Sequence, residues 1–377
     1  MRIVQVAPYY YPHAGGVESH VRAIAREFAR QGHEVTVLTS QFRRDLPEEE
    51  RLDGCRIIRA RSLGVAFNTP FDYGVAEWCD RLEADVFHLH FPPPFTSFFA
   101  ARRLRRRHVP ICLTYHCDLF LATPIGSAIT GLYNRLLLPS TLDRVDRIIV
   151  HTQSYAMTDR FLRDRRVEII PSSVDLERFR PEVDGGGIRE RLRLHGQRVI
   201  AFTGRLVPHK GVDDLLRALA RLPPDVTLLV VGRGPDLPEL SELARRLGVL
   251  ERVRFCPGVS DEELPHYLRA ADLFVFPSTN RLEGFGLAVA EALASGLPAV
   301  IADIPGVREV IEPGREGILA EPLLEGDLAA KIRELLDDPA RRFELSRAAR
   351  LRAESHYGAE TITAALLDLY RRLRAAD

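Results

Sequence analysis

The sequence predicts an α/β protein with two doubly wound domains, and three observations lead to this fold class. Short apolar runs alternate with amphipathic helical patterns from the first residues onward. A segment rich in proline and glycine, between Pro171 and Gly187, interrupts the alternation, which then begins again. At 377 residues the chain is also longer than most single hydrophobic cores allow. Because alternating strands and helices form parallel sheets covered on both faces, we predict two Rossmann-like domains that face a central cleft.

The first half opens with a strand, a helix and a second strand. The apolar run IVQVA is followed by a helical pattern from Val17 to Arg30 and by the run EVTVLT. Later strand candidates are CRIIRA, DVFHLH, ICLTY, RIIV and VEII. These runs predict a first domain over residues 1–180.

The second half repeats the alternation. Its strand candidates are RVIAFTG, VTLLVVG, RVRFCPG, DLFVFPS and LPAVIA, each followed by a helical pattern. They predict a second domain over residues 181–358. Beyond Asp327 we expect only helices. The last of them, within residues 359–377, is amphipathic and is expected to pack back onto the first domain.

Composition excludes several classes of protein. Lysine plus arginine and aspartate plus glutamate number 52 each, so net charge gives no reason to expect a nucleic-acid partner. The five cysteines lack CxxC spacing, and no stretch reaches 18 uncharged apolar residues. We expect a cytoplasmic protein, with peripheral contact to the inner face of an anionic membrane as an option. That option depends on the cationic run Arg102–Arg107 and the apolar stretch Leu119–Leu138; a solvated helix face and an internal helix are the alternatives.

The most informative motif joins two acids through glycines at the start of an apolar helix. It comprises Glu283, Gly284, Phe285, Gly286 and Leu287, followed by Glu291. Glycines at a helix start let an anion approach backbone N–H groups, and Glu291 can accept hydrogen bonds from vicinal ribose hydroxyls. The alternative is an ordinary helix start with favourably placed acids.

Two cations follow the strand RVIAFTG, which ends at Gly204. Arg205 and Lys210 lie in a loop between glycines. A guanidinium and an ammonium beyond a strand end can neutralise a departing diphosphate. A pair of exposed loop cations is the alternative. No Asp-x-Asp motif, which would hold a divalent cation, occurs in the chain, so we expect no metal.

Two further glycine pairs follow strands. Gly15 and Gly16 open the first helix and can bring backbone amides close to phosphate or sugar. Gly232 and Gly234 resemble a dinucleotide turn, but Leu237 stands where a third glycine is required. We interpret this turn as a nucleotide-facing loop and not as a nicotinamide site.

Histidines end two strands of the first domain. His116 can hydrogen-bond a sugar hydroxyl or take part in proton transfer, although a satisfied structural histidine is equally common. His88 and His90 lie on one strand face, where metal binding is conceivable but sheet-end packing is favoured.

Taken together, these stretches resemble glycosyltransferase family 4, the retaining GT-B enzymes that use nucleotide-diphosphate sugars. The matching segments are PHAGGVE, TYHCD, IIPSSVDLERFRP, FTGRLVPHKGVDDLL, VGRGPD and FPSTNRLEGFGLAVAEALASGLPAV, in family order between residues 12 and 300. One departure is Ser172-Ser173, where the family often has asparagine-glycine, so the connection between the domains can differ.

The resemblance implies a donor site in the second domain and an acceptor site in the first. Arg205 and Lys210 would contact the diphosphate, Glu291 the ribose, and Glu283 the hydroxyls of the transferred sugar. Gly16 and His116 would line the sugar side of the cleft. The resemblance also implies retention by front-face departure, in which the leaving phosphate helps to deprotonate the acceptor. The other residues expected near the donor are Gly15, Gly204, Gly232, Gly234, Gly284, Phe285, Gly286 and Leu287.

Three alternatives remain at this point. A sugar-nucleotide epimerase of related fold would need carboxylates placed for proton chemistry on the sugar, and no such set is evident. A non-catalytic nucleotide-sugar-binding protein would not need both cations and both glutamates. A nicotinamide-dependent dehydrogenase is weakened by the incomplete glycine pattern.

Overall fold

The computed structural model describes residues 1–13, 15–62, 64–66, 69–70, 72–119 and 124–376. The chain divides into two compact units. Unit 1 comprises Met1–Ser173 together with the chain from Ala359 onward, and unit 2 comprises Val174–Gly358. Residues 174–180 therefore lie in unit 2, although the sequence-based boundary follows residue 180. The reason is that Val174 N donates to Tyr357 O at 2.8 Å and Arg350 donates to Phe179 O at 2.8 Å.

Unit 1 is built on a mostly parallel sheet with the strand order β10-β9-β8-β7-β1-β2-β4-β3. Only the pairing of β3 with β4 is antiparallel within it, and β5 and β6 form a separate two-stranded ribbon. The strands are β1 (Arg2–Val6), β2 (Glu34–Ser40), β3 (Glu49–Leu52), β4 (Cys55–Ala60), β5 (Val65–Ala66), β6 (Thr69–Pro70), β7 (Val86–Phe91), β8 (Ile111–Tyr115), β9 (Arg147–Val150) and β10 (Val167–Ile169).

Helices cover both faces of this sheet. They are α1 (Gly16–Arg30), α2 (Gly74–Arg81), α3 (Pro94–Leu104), α4 (Pro124–Leu142) and α5 (Gln153–Thr158). On one face, Val21, Ile24 and Phe28 of α1 are fully buried, and full burial of such side chains contributes about 1.5–3 kcal/mol each. From Pro124 onward the apolar stretch Leu119–Leu138 belongs to α4, and residues 120–123 lie outside the described residues.

Unit 2 has a wholly parallel sheet with the strand order β13-β12-β11-β14-β15-β16. Its strands are β11 (Arg198–Thr203), β12 (Val226–Val231), β13 (Val253–Cys256), β14 (Leu273–Phe276), β15 (Ala299–Ala302) and β16 (Gly317–Ala320). Its helices are α6 (Gly186–Arg191), α7 (Val212–Ala220), α8 (Leu237–Arg246), α9 (Leu264–Arg269), α10 (Leu287–Ala294), α11 (Glu325–Leu336) and α12 (Pro339–His356).

The chain then returns to unit 1 through α13 (Ala359–Ala376). Leu366, Leu369 and Tyr370 of this helix are buried in the same core as α1, and Gln31 donates to Thr363 at 3.1 Å. The C-terminal helix thus completes the first core, although it follows the second unit in sequence.

Every strand candidate of the sequence is a strand in the structure, but the sequence did not predict β3, β16 or the two short strands of the ribbon, β5 and β6. β3 reads EERL, and its charged side chains suit an exposed antiparallel edge. β16 reads GILA, a run too short and too weakly patterned to be recognised.

Candidate functional site

The charged edge of unit 2 consists of Arg205, Lys210, Glu283 and Glu291. Arg205 follows β11, and Lys210 ends a 3₁₀ turn, Pro208–Lys210. Glu283 lies in the connection between β14 and α10, and Glu291 lies within α10. Because β11 and β14 are parallel neighbours, their connections meet at the carboxyl edge of the sheet, where ligands bind in such folds.

Lys210 and Glu283 form an ion pair at this edge. The two side chains are only 12% and 14% exposed, and Lys210 Nζ lies 4.9 Å from the centre of the Phe276 ring. Partial burial and the aromatic face restrict the ammonium to one position, which an exposed loop lysine would not have. The structure therefore brings together two residues that the sequence separates by 73 positions.

Arg205 is exposed, and its guanidinium makes no hydrogen bond or ion pair with any described residue. Its field nevertheless reaches His209. Burial lowers the pKa of His209, Lys210 and Arg205 lower it further, and Glu283 opposes them. The neighbouring cations disfavour a positive charge on the His209 ring. The surroundings of His209 therefore favour an anion.

Glu291 is buried, with 9% of its surface exposed. Burial raises the pKa of this carboxyl to about 7, while Arg178 lowers it and Asp261 raises it. A carboxyl whose pKa is raised mainly by desolvation is typical of a functional position, and here the nearby Arg178 compensates the cost of burial only in part.

Glycines let the connections of this edge approach one another closely. A Cβ on Gly232 would lie 1.8 Å from Gly204 O, and one on Gly234 would lie 2.0 Å from Leu206 O. Gly286 has φ +82° at the start of α10, a left-handed conformation that suits glycine. The tight contacts of Gly232 and Gly234 are thus with the chain after β11.

Gly284, Phe285 and Leu287 hold the Glu283 segment in place. Gly284 O would be 2.8 Å from a Cβ on Gly306. Phe285 is buried and makes an edge contact with Tyr357, with ring centroids 5.6 Å apart. Leu287 packs against the core. Phe285 and Leu287 therefore fix the segment to the core, and Glu283 lies just before them.

In unit 1, Gly15 and Gly16 begin α1 just beyond β1. The backbone of Gly15 is extended, with φ 176°, so its conformation alone does not require glycine. A Cβ there would lie 2.3 Å from Glu18 Oε2, which is the flexible end of a side chain. Ala14, which precedes the pair, lies outside the described residues.

The carboxyl edge of unit 1 contains a histidine cluster formed by His20, His88, His90, His116 and His151. All five imidazoles are buried. His116 Nδ1 lies 2.9 Å from His151 Nε2, and His116 Nε2 lies 3.0 Å from His90 Nδ1. Both ring nitrogens of His116 are therefore bonded within the protein, as in a satisfied structural histidine. A bond from either nitrogen to a ligand would have to replace one of these partners.

His88 and His90 stack on one face of β7, with ring centroids 4.5 Å apart. His88 lies 2.7 Å from Tyr370 Oη and 2.6 Å from Thr114 Oγ1. Within the described part of the chain, no group of histidine, cysteine or acidic side chains could hold a metal ion. The pair makes the packing contacts favoured above.

Comparisons with known proteins identify the family of this chain. Residues 14–178 match the family model described as Glycosyltransferase Family 4, and residues 187–352 match the model described as Glycosyl transferases group 1. A relative named GDP-mannose-dependent alpha-(1-6)-phosphatidylinositol monomannoside mannosyltransferase, from Mycolicibacterium smegmatis, is 30% identical over 97% of both chains. The chain belongs to glycosyltransferase family 4.

Other relatives of this glycosyltransferase lead to the same conclusion. A protein from Geodermatophilus obscurus named D-inositol 3-phosphate glycosyltransferase is 33% identical over 90% of this chain and 81% of its own length. The function predicted from the sequence, an enzyme that transfers sugar from a nucleotide sugar, is thereby confirmed, and the epimerase and binding-protein alternatives are not favoured.

Solved structures confirm the GT-B fold of this glycosyltransferase. Sucrose-phosphate synthase from Thermosynechococcus elongatus matches with a TM-score of 0.86 and 24% identity over all of both chains. Anabaena HepE in complex with UDP matches with a TM-score of 0.79 and 22% identity, over 99% of this chain and 100% of its own. At these identities the likeness is one of fold.

Sequence reasoning missed several residues of the glycosyltransferase's two edges. His151 follows its strand as His116 follows β8, so a signal for it was available. His20 lies inside α1, and Asp72 precedes α2, where no pattern distinguishes them. Burial raises the pKa of Asp72 to about 6, although its hydrogen bonds from Ser40 and Thr96 oppose the shift.

Proposed function

We propose that this glycosyltransferase moves a hexosyl group, with retention, from a nucleotide-diphosphate sugar bound by unit 2 to a hydroxyl acceptor bound by unit 1. One observation carries the proposal. The charged edge joins a shielded Lys210–Glu283 pair, an exposed guanidinium and a buried carboxyl at the carboxyl ends of neighbouring parallel strands. These are the charges that a nucleotide diphosphate, its sugar and its ribose require.

The chemistry follows from those charges. As the glycosidic C–O bond breaks, negative charge accumulates on the diphosphate, and Arg205 and Lys210 stabilise it. Glu283 holds Lys210 in place and accepts hydrogen bonds from the sugar hydroxyls. Glu291 accepts hydrogen bonds from the ribose. In front-face departure the leaving phosphate oxygen takes the acceptor proton, so no side chain has to act as nucleophile.

The proposed site also has residues in unit 1. There we propose that the backbone amides at Gly15 and Gly16 and the ring of His116 contact the sugar. No cofactor is required in this scheme, and the two cations take the place of a divalent metal ion. Activity in excess EDTA is therefore expected to equal activity without it, and a strict metal requirement would contradict this part of the proposal.

The names of the relatives suggest which substrates to test first. The name of one relative includes GDP-mannose and phosphatidylinositol monomannoside, and the name of another includes inositol 3-phosphate. We propose a nucleotide-activated hexose as donor and a hydroxyl of an inositol-containing or related glycan acceptor. Thermal stabilisation by a panel of nucleotides and nucleotide sugars identifies the donor, since a ligand raises the melting temperature by mass action.

Product stereochemistry then tests the reaction. With the donor identified, the anomeric configuration of the product is read by NMR, and retention is expected. Inversion of the anomeric configuration, or formation of an epimerised nucleotide sugar without transfer, would contradict the proposed reaction.

We also propose that unit 1 touches an anionic membrane during this reaction. Within the described residues, no helix is long and apolar enough to cross a bilayer. Helix α4 packs through Tyr133, Leu138 and Leu142, yet Leu132 and Leu136 on its other side are 61% and 57% exposed. Exposed leucines with a nearby cationic run in sequence are typical of interfacial helices.

The cationic run supplies the charge. Arg103 pairs with Asp80 and Arg105 with Asp146, whereas Arg102 and Arg106 are exposed and form no such pair with a described residue. Flotation with vesicles of phosphatidylcholine and phosphatidylglycerol should recover the protein. The variant L132Q/L136Q should lose this binding, and K331A, in unit 2, should keep it. Absence of lipid-dependent flotation would remove the membrane proposal and leave the transfer reaction untouched.

A further inference from the structure

Five polar groups, each lying in or directly after one of five neighbouring strands, form a continuous line at the carboxyl edge of unit 1. The line follows the strand order of the sheet, from β1 through β7, β8 and β9 to β10. Its members, in that order, are Gln5, His90, His116, His151 and the carbonyl oxygen of Ile170. The successive distances along the line are 2.8, 3.0, 2.9 and 3.0 Å.

The carbonyl at one end sets the direction of every hydrogen bond in this line. Ile170 O can only accept, so His151 must carry its proton on Nδ1. His151 Nε2 is then an acceptor, and His116 must donate from Nδ1. His116 Nε2 accepts in turn, so His90 also donates from Nδ1. If all three imidazoles are neutral, no other arrangement satisfies these contacts.

The other end can adapt to this direction because Gln5 has both a donor and an acceptor. His90 Nε2 is left as an acceptor and requires an N–H group from Gln5. Gln5 Oε1 lies 2.8 Å from His90 Nε2, while Gln5 Nε2 is buried without a hydrogen-bond partner among the described residues. A half-turn of the amide exchanges the two atoms and satisfies both.

A fourth histidine covers the line. The His20 ring lies 6.0, 5.4 and 5.5 Å from the rings of His90, His116 and His151. His20 Nδ1 accepts a hydrogen bond from Ser173 N at 2.9 Å, so its own proton is on Nε2. The line is therefore enclosed by α1, which starts at Gly16, and by the last residue of unit 1 before the chain enters unit 2.

We propose that His151 and His90 are positioning residues for His116, which they fix as a neutral Nδ1–H tautomer with both ring nitrogens bonded inside unit 1, and that Gln5 supports His90 at the end of the line. His116 then offers the sugar subsite a rigid, uncharged ring, and it neither gives nor takes a proton in transfer. This inference deepens the proposed function, because His116 matters for activity only if it lines that subsite. Burial lowers the pKa of His90, His116 and His151 in agreement with neutral rings.

The tautomers can be measured directly in the ligand-free protein. Long-range ¹H–¹⁵N correlation spectra of ¹⁵N-histidine-labelled protein at pH 7.5 distinguish Nδ1–H, Nε2–H and cationic rings. We expect Nδ1–H for His90, His116 and His151 and Nε2–H for His20. An Nε2–H or cationic His116 would overturn the proposal. No turnover is needed, so this result is independent of whether the proposed function holds.

Two substitutions of His151 separate positioning from mere packing. His151→Gln retains an acceptor that can reach His116 Nδ1, whereas His151→Leu removes it. In H151L, we expect His116 to be no longer restricted to the Nδ1–H tautomer. We expect kcat to fall by about tenfold with a smaller change in KM, as for loss of one hydrogen bond. H151Q should restore the tautomer and most of kcat.

Leu113→Ala is the matched control. Leu113 lies on β8, three residues before His116, and is fully buried on the opposite face of the sheet. L113A should lower the free energy of unfolding. It should keep the Nδ1–H tautomer of His116 and a kcat similar to that of H151Q. If L113A and H151L change kcat equally, or if H151Q behaves like H151L, the positioning role is excluded.

Discussion

The two units place polar side chains at the same topological position, the carboxyl edge of a parallel sheet, but they satisfy them differently. In unit 1, buried imidazoles bond to one another and to backbone groups along the edge. In unit 2, the Lys210–Glu283 pair and the buried Glu291 stand beside a guanidinium that is exposed. Unit 1 is thus complete without a ligand, whereas unit 2 keeps charges that a ligand would complete.

The difference shows how one fold supports two kinds of edge. A hydrogen-bonded line of neutral groups gives a defined shape and costs little, because each donor has an acceptor. Unpaired or desolvated charges cost stability, and they persist where they are used. The comparison predicts opposite responses of the two units to pH.

The largest expected effect is acid destabilisation of unit 1. Burial lowers the pKa of all five clustered histidines, to about 3 for His88 and about 4 for His151. The unfolded chain binds protons near pH 6.5 and the folded chain does not, so stability is present above pH 6.5 and is lost as pH falls. At pH 5 a histidine that stays neutral in the folded chain lowers the free energy of unfolding by up to about 2 kcal/mol.

Hydrogen exchange resolved by peptide measures this effect in each unit separately. Between pH 7.5 and 5, after correction for intrinsic rates, amides of β7, β8 and β9 should lose protection before those of β11 and β12. Earlier loss of protection in unit 2 would show that the histidines are not held neutral.

The second effect is on catalysis by the charged edge. Lys210→Ala and Glu283→Ala should each lower kcat by about 10²- to 10³-fold, because each removes a preorganised charge or the partner that orients it. The double variant should lose little more than either single variant, since the residues act as a unit. Steady-state kinetics with the identified donor measures all three.

Lys331→Ala is the control for this pair, because Lys331 also pairs with a glutamate, Glu334, on the surface of α11. It should retain turnover within about twofold, as expected for an exposed ion pair. Wild-type turnover in K210A or E283A would remove the charged edge from the mechanism.

Sequence reasoning recovered much of this molecule because its signals are local. Apolar runs mark β1, β7 and β11 directly, and glycines with charges mark the ends of strands in unit 2. It did not reveal the histidine line, since Gln5 and His151 are brought to His116 only by strand order, 85 residues separating Gln5 from His90. It also could not show that Lys210 pairs with Glu283, because each residue alone reads as a ligand contact.

The third expected effect is a loss of stability when a close backbone contact at the edge of unit 2 is disrupted. The edge of unit 2 depends on close backbone contacts, and Gly232 combines φ +151° with a Cβ position 1.8 Å from Gly204 O. Gly232→Ala should therefore lower the free energy of unfolding by about 3 kcal/mol, since backbone must move. Gly258→Ala, where a Cβ meets open space and φ is unremarkable, should change it by less than about 0.5 kcal/mol. Urea denaturation compares them, and equal losses would show that the contact at Gly232 is not required.

The smallest expected effect is the pH dependence of stability that Glu291 causes. Stability falls as pH rises through the pKa of Glu291, whereas it falls as pH decreases for the histidines. Its pKa is about 7 in the folded protein and 4.5 in the reference state, so its stabilising contribution is full below pH 4.5 and is lost as pH rises through 7. At pH 8 the buried carboxylate costs at most about 3 kcal/mol. Glu291→Gln should therefore raise the melting temperature at pH 8 and leave it nearly unchanged at pH 4.5.

If the ribose hydroxyls donate hydrogen bonds to the Glu291 carboxylate, the higher melting temperature of E291Q should come with weaker nucleotide binding. Hydroxyl donors favour the ionised form, so nucleotide binding near pH 7 should release a proton from Glu291. Calorimetric titrations in buffers of different ionisation enthalpy measure the release, and E291Q should abolish it together with most of the affinity. Proton release that persists in E291Q would assign the proton to another group. Destabilisation of E291Q at pH 8 would show that the Glu291 carboxylate already has favourable partners in the free protein, as the histidines of unit 1 have.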